Sequence, residues 1–86
     1  MERVQLLKEK FYEILESKRD EFHLLGYDGV DVDTIWECVL SKYKQELPRD
    51  YQLVNDIYSL KPTQLMNWLQ MKAFQGEIDT EKNFPL

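Results

Sequence analysis

The chain of 86 residues has one cysteine and one histidine, Cys38 and His23. A lone cysteine closes no internal disulfide, which fits a reducing compartment. A lone histidine without a second histidine or cysteine at ligand spacing excludes the usual zinc motifs. Glycine and proline are scarce, 3 of each, which excludes collagen-like and turn-rich all-β architectures. No apolar run reaches the ~20 residues that span a membrane, and no basic-then-apolar leader opens the chain. Basic residues number 11 against 16 acidic ones, for a formal net charge of −5. Phosphate neutralisation supplies most of the affinity of a free-standing nucleic-acid binder, so an acidic excess speaks against that class. There is no glycine-rich phosphate loop, nucleophile elbow or HExxH pair. The expectation is a soluble, cytoplasmic, non-enzymatic single domain with no cofactor or metal.

What is present is a strong helical pattern. The chain is 43% hydrophobic and 13% aromatic, too apolar for disorder. Its information concentrates between Glu16 and Leu40. Val4, Leu7, Phe11, Ile14, Leu15, Phe22 and Leu25 mark one face of a long helix from Met1 to Leu25. Lys18 interrupts that face, an arrangement in which the stem lies along the helix and the ammonium reaches water. Gly26 then supplies a residue willing to take positive φ, and Tyr27 can fold back onto the last turn. His23 fits the negative end of that helix dipole. Asp28-Gly29 favours a second tight turn. Asp31 reads as the N-cap of the next helix, with Val30 and Ile35 as its hydrophobic staple. Val32, Ile35, Trp36, Val39, Leu40 and Tyr43 repeat behind it at helical spacing. Phe22, Leu25, Gly26, Tyr27, Asp31 and Trp36 thus form a structural corner. Capping and dipole complementarity account for Asp28, Asp31, Asp33 and Glu37 without a metal, since the calcium-loop order is absent. Cys38, beside the buried stripe, reads as a small buried thiol.

Pro48 suits the first turn of a third helix. Tyr51, Val54, Ile57 and Tyr58 would form its face, extended by Leu47 and Leu53. Lys61-Pro62 stops it, and Thr63 can cap a fourth helix over Gln64 to Gln75. Leu65, Leu69 and Ala73 share one side of that helix, while Met66, Trp68, Met71 and Phe74 lie elsewhere on it. A helix apolar on most sides is either central to its domain or shared with a partner. Met66, Trp68, Met71 and Phe74 are therefore candidate partner-binding residues, and homodimerisation is one outlet for them. Lys42, Tyr43, Lys44 and Arg49 form the alternative site, a basic-aromatic group able to touch RNA by charge and stacking. The same cations also suit an ordinary helix C-terminus. Gly76 reads as the end of the helix. The expected architecture is all-α, a compact four-helix bundle of irregular or orthogonal packing over 1–76, with a mobile tail over 77–86 that ends in the apolar Phe84-Pro85-Leu86.

Two strings, ESKRDEFHLLGYDGVDVDTIWECV from Glu16 and LVNDIYSLKPTQLMNWLQMKAFQG from Leu53, carry a family likeness. The most telling pieces are the EF-x-LLGYD corner, Ile35-Trp36, Val54-Asn55-Asp56-Ile57 with Ser59-Leu60, and Met66-Asn67. Over roughly residues 10 to 76 the chain resembles the small bacterial post-transcriptional regulators typified by the competence regulator ComN. That resemblance implies a cytoplasmic regulator of messenger RNA, with competence-type transcripts bound directly or indirectly. It also implies association with a coiled-coil scaffold of the DivIVA type.

Overall fold

The computed structural model describes residues 2–43 and 46–81, with side chains described at 3–43 and 46–74. Five helices follow one another: α1 (Glu2–Lys10), α2 (Tyr12–Leu24), α3 (Val32–Leu40), α4 (Asp50–Ser59) and α5 (Pro62–Glu81). No strand occurs among the described residues. The all-α expectation holds, but the count of four does not, because the first periodic segment is interrupted at Phe11. That residue has φ −101° and ψ 15°, in the bridge region between helix and strand. The helical ladder is interrupted there, with one bond ending at Phe11 and another starting from it: Phe11 N–H donates to the Leu7 carbonyl at 3.0 Å, and Leu15 N–H to the Phe11 carbonyl at 3.0 Å. The break is a one-residue kink without proline or glycine, centred on a buried ring.

The corner after α2 closes as a Schellman motif. Tyr27 N–H donates to the Phe22 carbonyl at 2.9 Å and Gly26 N–H to that of His23 at 3.0 Å, the two bonds that satisfy orphaned carbonyls at a helix end. Gly26 has φ +99°. A Cβ there would meet nothing within 4 Å, so the need for glycine is torsional, not steric. The Tyr27 ring tilts onto Phe22 with centroids 6.3 Å apart. Leu25 departs from expectation: as the C-cap it is 59% exposed, and Phe22 alone carries the stripe inward. His23 does more than face a dipole, since its Nε2 lies 2.6 Å from the Val30 carbonyl. A carbonyl only accepts, so Nε2 carries the proton, and the ring ties the two ends of the turn together.

Asp31 caps α3 as its spacing predicts, accepting from Thr34 N–H at 2.8 Å and Thr34 Oγ1 at 2.7 Å. Val30 and Ile35 are both buried, as a staple requires. Trp36 is buried too, and its indole N–H has no partner among the described residues. α3 ends at Leu40 with Ser41 as C-cap, so Tyr43 lies beyond the helix whose spacing it continues. Pro48 likewise lies outside a helix: Arg49 is the N-cap of α4. The face of α4 is rotated from the expected one. Leu53, Asp56 and Ile57 are buried while Tyr51 and Tyr58 are exposed. Leu53, Ile57 and Leu60 fall on one helical stripe, and the tyrosines keep their hydroxyls in water.

Lys18 is the largest correction. It is 5% exposed, and its ammonium donates to the Tyr58 carbonyl at 2.8 Å and to Leu60 at 3.4 Å. Glu21 pairs with it at 3.3 Å. The stem lies along the apolar face as expected, but the head ends on the last carbonyls of α4 and not in water. Those carbonyls lack intrahelical donors and carry the negative end of the helix dipole. Around this latch, α2, α3 and α4 pack on one another, α1 leads into α2 at Phe11, and α5 rests on α3. The fully buried side chains are Leu15 and Phe22 of α2, Ile35 and Val39 of α3, Leu53 and Ile57 of α4, and Leu65 of α5. Ion pairs Lys8–Asp33 and Lys10–Asp50 tie α1 to the first turns of α3 and α4.

Two predictions test these latches. Lys18→Met keeps the stem but leaves the α4 carbonyls without their donor, and should cost about 1–3 kcal/mol in urea unfolding. Asp31→Ala should cost about 1 kcal/mol at neutral pH. The cap hydrogen bonds from Thr34 hold the Asp31 carboxyl below its ordinary value of 3.8. Its contribution is therefore complete above that value and disappears as pH falls through the lower folded one. Urea midpoints of wild type and Asp31→Ala should converge in acid; a gap of constant size would contradict this account.

Candidate functional site

α5 starts two residues earlier than its sequence suggests. Gln64 Oε1 accepts from the Lys61 backbone N–H at 3.0 Å, the reciprocal half of a capping box with Lys61 in the N-cap place. Pro62 then sits at the first helical position, where its missing N–H costs nothing. Thr63 is inside the helix and is not its cap. Gly76 does not end the helix, which continues to Glu81. Residues 77–81, expected as tail, are helical; the rest of that expected tail, 82–86, lies outside the described residues.

The candidate partner-binding residues divide along this helix. Leu65 is fully buried, and Met66, Trp68 and Leu69 pack half-buried against the core. Met71 and Phe74 stand 61% exposed each, and Ala73 beside them is exposed as well. Leu65 to Leu69 anchor α5, and Met71, Ala73 and Phe74 after them present apolar side chains to solvent. Lys72 links α5 to α3: its Nζ is 2.7 Å from Glu37 Oε1 and 5.0 Å from the centroid of Trp68.

Between α3, α4 and the start of α5 lies a cleft of about 180 Å³, lined by Cys38, Val39, Ser41, Lys42, Asp56, Ser59, Leu60, Gln64 and Trp68. Asp56 is 4% exposed. It accepts from the Tyr43 hydroxyl, from Gln52 Nε2 at 3.1 Å and from Lys42 Nζ at 3.4 Å. A buried carboxylate persists only when partnered in this way. Burial raises the Cys38 thiol above its ordinary value, so it stays protonated.

The basic-aromatic group is only partly assembled by the fold. Lys42 and Tyr43 converge on Asp56, Arg49 is exposed at the N-cap of α4, and Lys44 lies outside the described residues. Asp56, Gln52 and Lys18 were not singled out as site residues from the sequence. A signal existed for Asp56: it falls on the apolar stripe between Leu53 and Ile57, where a carboxylate needs donors, and Gln52 stands one helical turn before it.

Among the described residues no group of His, Cys, Asp and Glu can hold a metal ion, and no helix is long and apolar enough to cross a membrane. Fold and site define a small all-α domain whose last helix is anchored at Leu65 and exposes Met71 and Phe74. The chain belongs to the post-transcriptional regulator family, whose sequence pattern matches residues 4–84. It is 36% identical over 73 residues to the post-transcriptional regulator ComN of Bacillus subtilis (strain 168), an alignment covering 81% of this chain and 74% of that relative. No solved structure matches it.

Tyr43→Phe removes a donor from the buried Asp56 carboxylate and should cost about 1–3 kcal/mol. The Asp56 hydrogen bond also raises the Tyr43 phenol above its ordinary value of 10.0. The stability it contributes is complete below that value and is lost as pH rises through the raised folded one. Urea unfolding at neutral and alkaline pH checks both: the gap between wild type and Tyr43→Phe should close in base.

Proposed function

We propose that this protein is a non-enzymatic cytoplasmic regulator that acts on transcripts as a helical protein–protein adaptor. The observation that carries the reading is the pair Met71 and Phe74, which stand exposed on a helix anchored at Leu65. Methionine and aromatic side chains on a firmly seated helix suit a partner's apolar groove. The net charge of −5 gives little electrostatic attraction to RNA phosphates. Of the four residues of the basic-aromatic group, Tyr43 is engaged with the buried Asp56 carboxylate, and the exposed Lys42 lies 3.4 Å from the same group. The partner implied by the family likeness is a coiled-coil scaffold of the DivIVA type, and the transcripts implied are of the competence type. RNA is then carried in the same assembly and not gripped by this chain.

The test uses tagged wild type and the Met71→Ser/Phe74→Ser variant, with a purified DivIVA-type coiled coil and with native lysate, each with and without ribonuclease. Both substitutions fall on exposed positions, so folding should be unaffected. Wild type should retain the coiled coil after ribonuclease, and the variant should bind it about tenfold more weakly or worse. Capture that depends on RNA would make the chain a direct RNA binder. A dimer that dissociates in the variant, without loss of partner, would make α5 a self-association surface.

A further inference from the structure

We propose that the cleft between α3, α4 and α5 receives the guanidinium of an arginine from the protein partner, with Asp56 as acceptor and Trp68 as wall. This rests on the adaptor reading above and names the chemistry of the contact. The cleft, about 180 Å³, has room for a guanidinium and the methylenes behind it. Val39 and Leu60 supply apolar lining for that stem. Trp68 lines the same cleft and already attracts a cation, Lys72 at 5.0 Å from its ring, as indole faces do. Cys38 and Ser41 bring the C-terminal end of α3 to the cleft, and α3 has no basic residue in its last turn. The Cys38 and Leu40 carbonyls there already accept from Ser41 and Tyr43, so what α3 adds to the cleft is the negative end of its dipole. Lys18 takes the Tyr58 and Leu60 carbonyls at the end of α4, and Asp56 is the acidic side chain that lines the cleft.

The Asp56 carboxylate is held in place and incompletely used. Two oxygens offer about four acceptor positions. Tyr43 and Gln52 fill two from the protein side. The third donor, Lys42, is the loosest: its Nζ is 3.4 Å away and its side chain is 60% exposed. An ammonium at that distance makes a poor hydrogen bond. A guanidinium offers parallel N–H donors at carboxylate spacing and sheds water more readily. Lys42 is therefore a resident placeholder that an arginine displaces. A phosphate entering the same cleft would meet a buried carboxylate, and the acidic total of the chain favours a basic partner.

The full-length chain, labelled with 15N, is titrated with N-acetyl-argininamide, with the neutral isostere N-acetyl-citrullinamide and with a short single-stranded RNA. The readouts are the Trp68 indole and Asp56 amide resonances. The arginine probe should shift both, and the citrulline probe should bind about tenfold more weakly. Asp56→Asn should weaken arginine binding about tenfold, and Trp68→Leu should weaken it as well. Lys42→Ala should tighten it about threefold, because it removes the competitor at an exposed pair. This sign is opposite to that of an anion site, and Lys42→Ala and Trp68→Leu decide the matter even if Asp56→Asn fails to fold. Equal binding of the two probes, weakening by Lys42→Ala, or shifts caused by RNA and not by arginine would overturn the assignment. Ribonuclease-resistant partner capture alongside a silent arginine probe refutes the cleft alone; capture lost to ribonuclease refutes the adaptor reading.

Discussion

Tyr27 must reach back to Phe22 while Leu25 ends a helix, and the positive φ of Gly26 lets both happen. The reversal aims the chain back along α2, so that α3 starts beside the helix it has just left. Two hydrogen bonds, an aromatic contact and the His23 bridge to Val30 all depend on that one torsion. With the corner set, Val30, Val32 and Ile35 enter the same core as Leu15 and Phe22. The α2–α3 pair then forms the platform on which α4 and α5 are placed.

Two buried charges hold the next layer. Lys18 carries its ammonium from α2 to the end of α4, and Asp56 carries its carboxylate from α4 to the segment after α3. Each would be costly alone, and each is partnered by groups from a distant part of the chain. Hydrophobic burial is non-directional; these contacts add direction, since carbonyl ends and a tyrosine hydroxyl accept or donate along defined lines. They set where α4 stops relative to α2, and so where α5 begins.

α5 is where structure and proposed function meet. Its capped start and Leu65 attach it to α3, and the Glu37–Lys72–Trp68 contacts extend the attachment by one turn. Met71, beside Lys72, and Phe74 after it face water. The cleft at the anchored end and the apolar side chains at the open end flank Trp68 and Lys72 along one helix. A partner lying along α5 would meet a pocket for a cation and then an apolar patch, two features of different chemistry on one continuous track.

Local signals are legible in the sequence. Gly26, Tyr27, Asp31 and the Val30–Ile35 staple act over four to five residues, so their spacing alone encodes the turn and the cap. The family likeness rests on the same corner and is borne out over 4–84. The kink at Phe11, the passage of the helix through Gly76 and the outward turn of Tyr51 and Tyr58 were not legible, because helical spacing alone reports neither kinks nor which of two adjacent apolar stripes faces inward. Lys18 and Asp56 mark the limit most clearly. Their partners lie 40 and 13 residues away, and a lone charge on an apolar stripe says only that a partner is required. Sequence by itself determined the all-α class, the corner and the family; which charges are buried, which side chains of α5 face water and the cleft around Asp56 arise only when distant segments pack, because those contacts exist between elements and not within them.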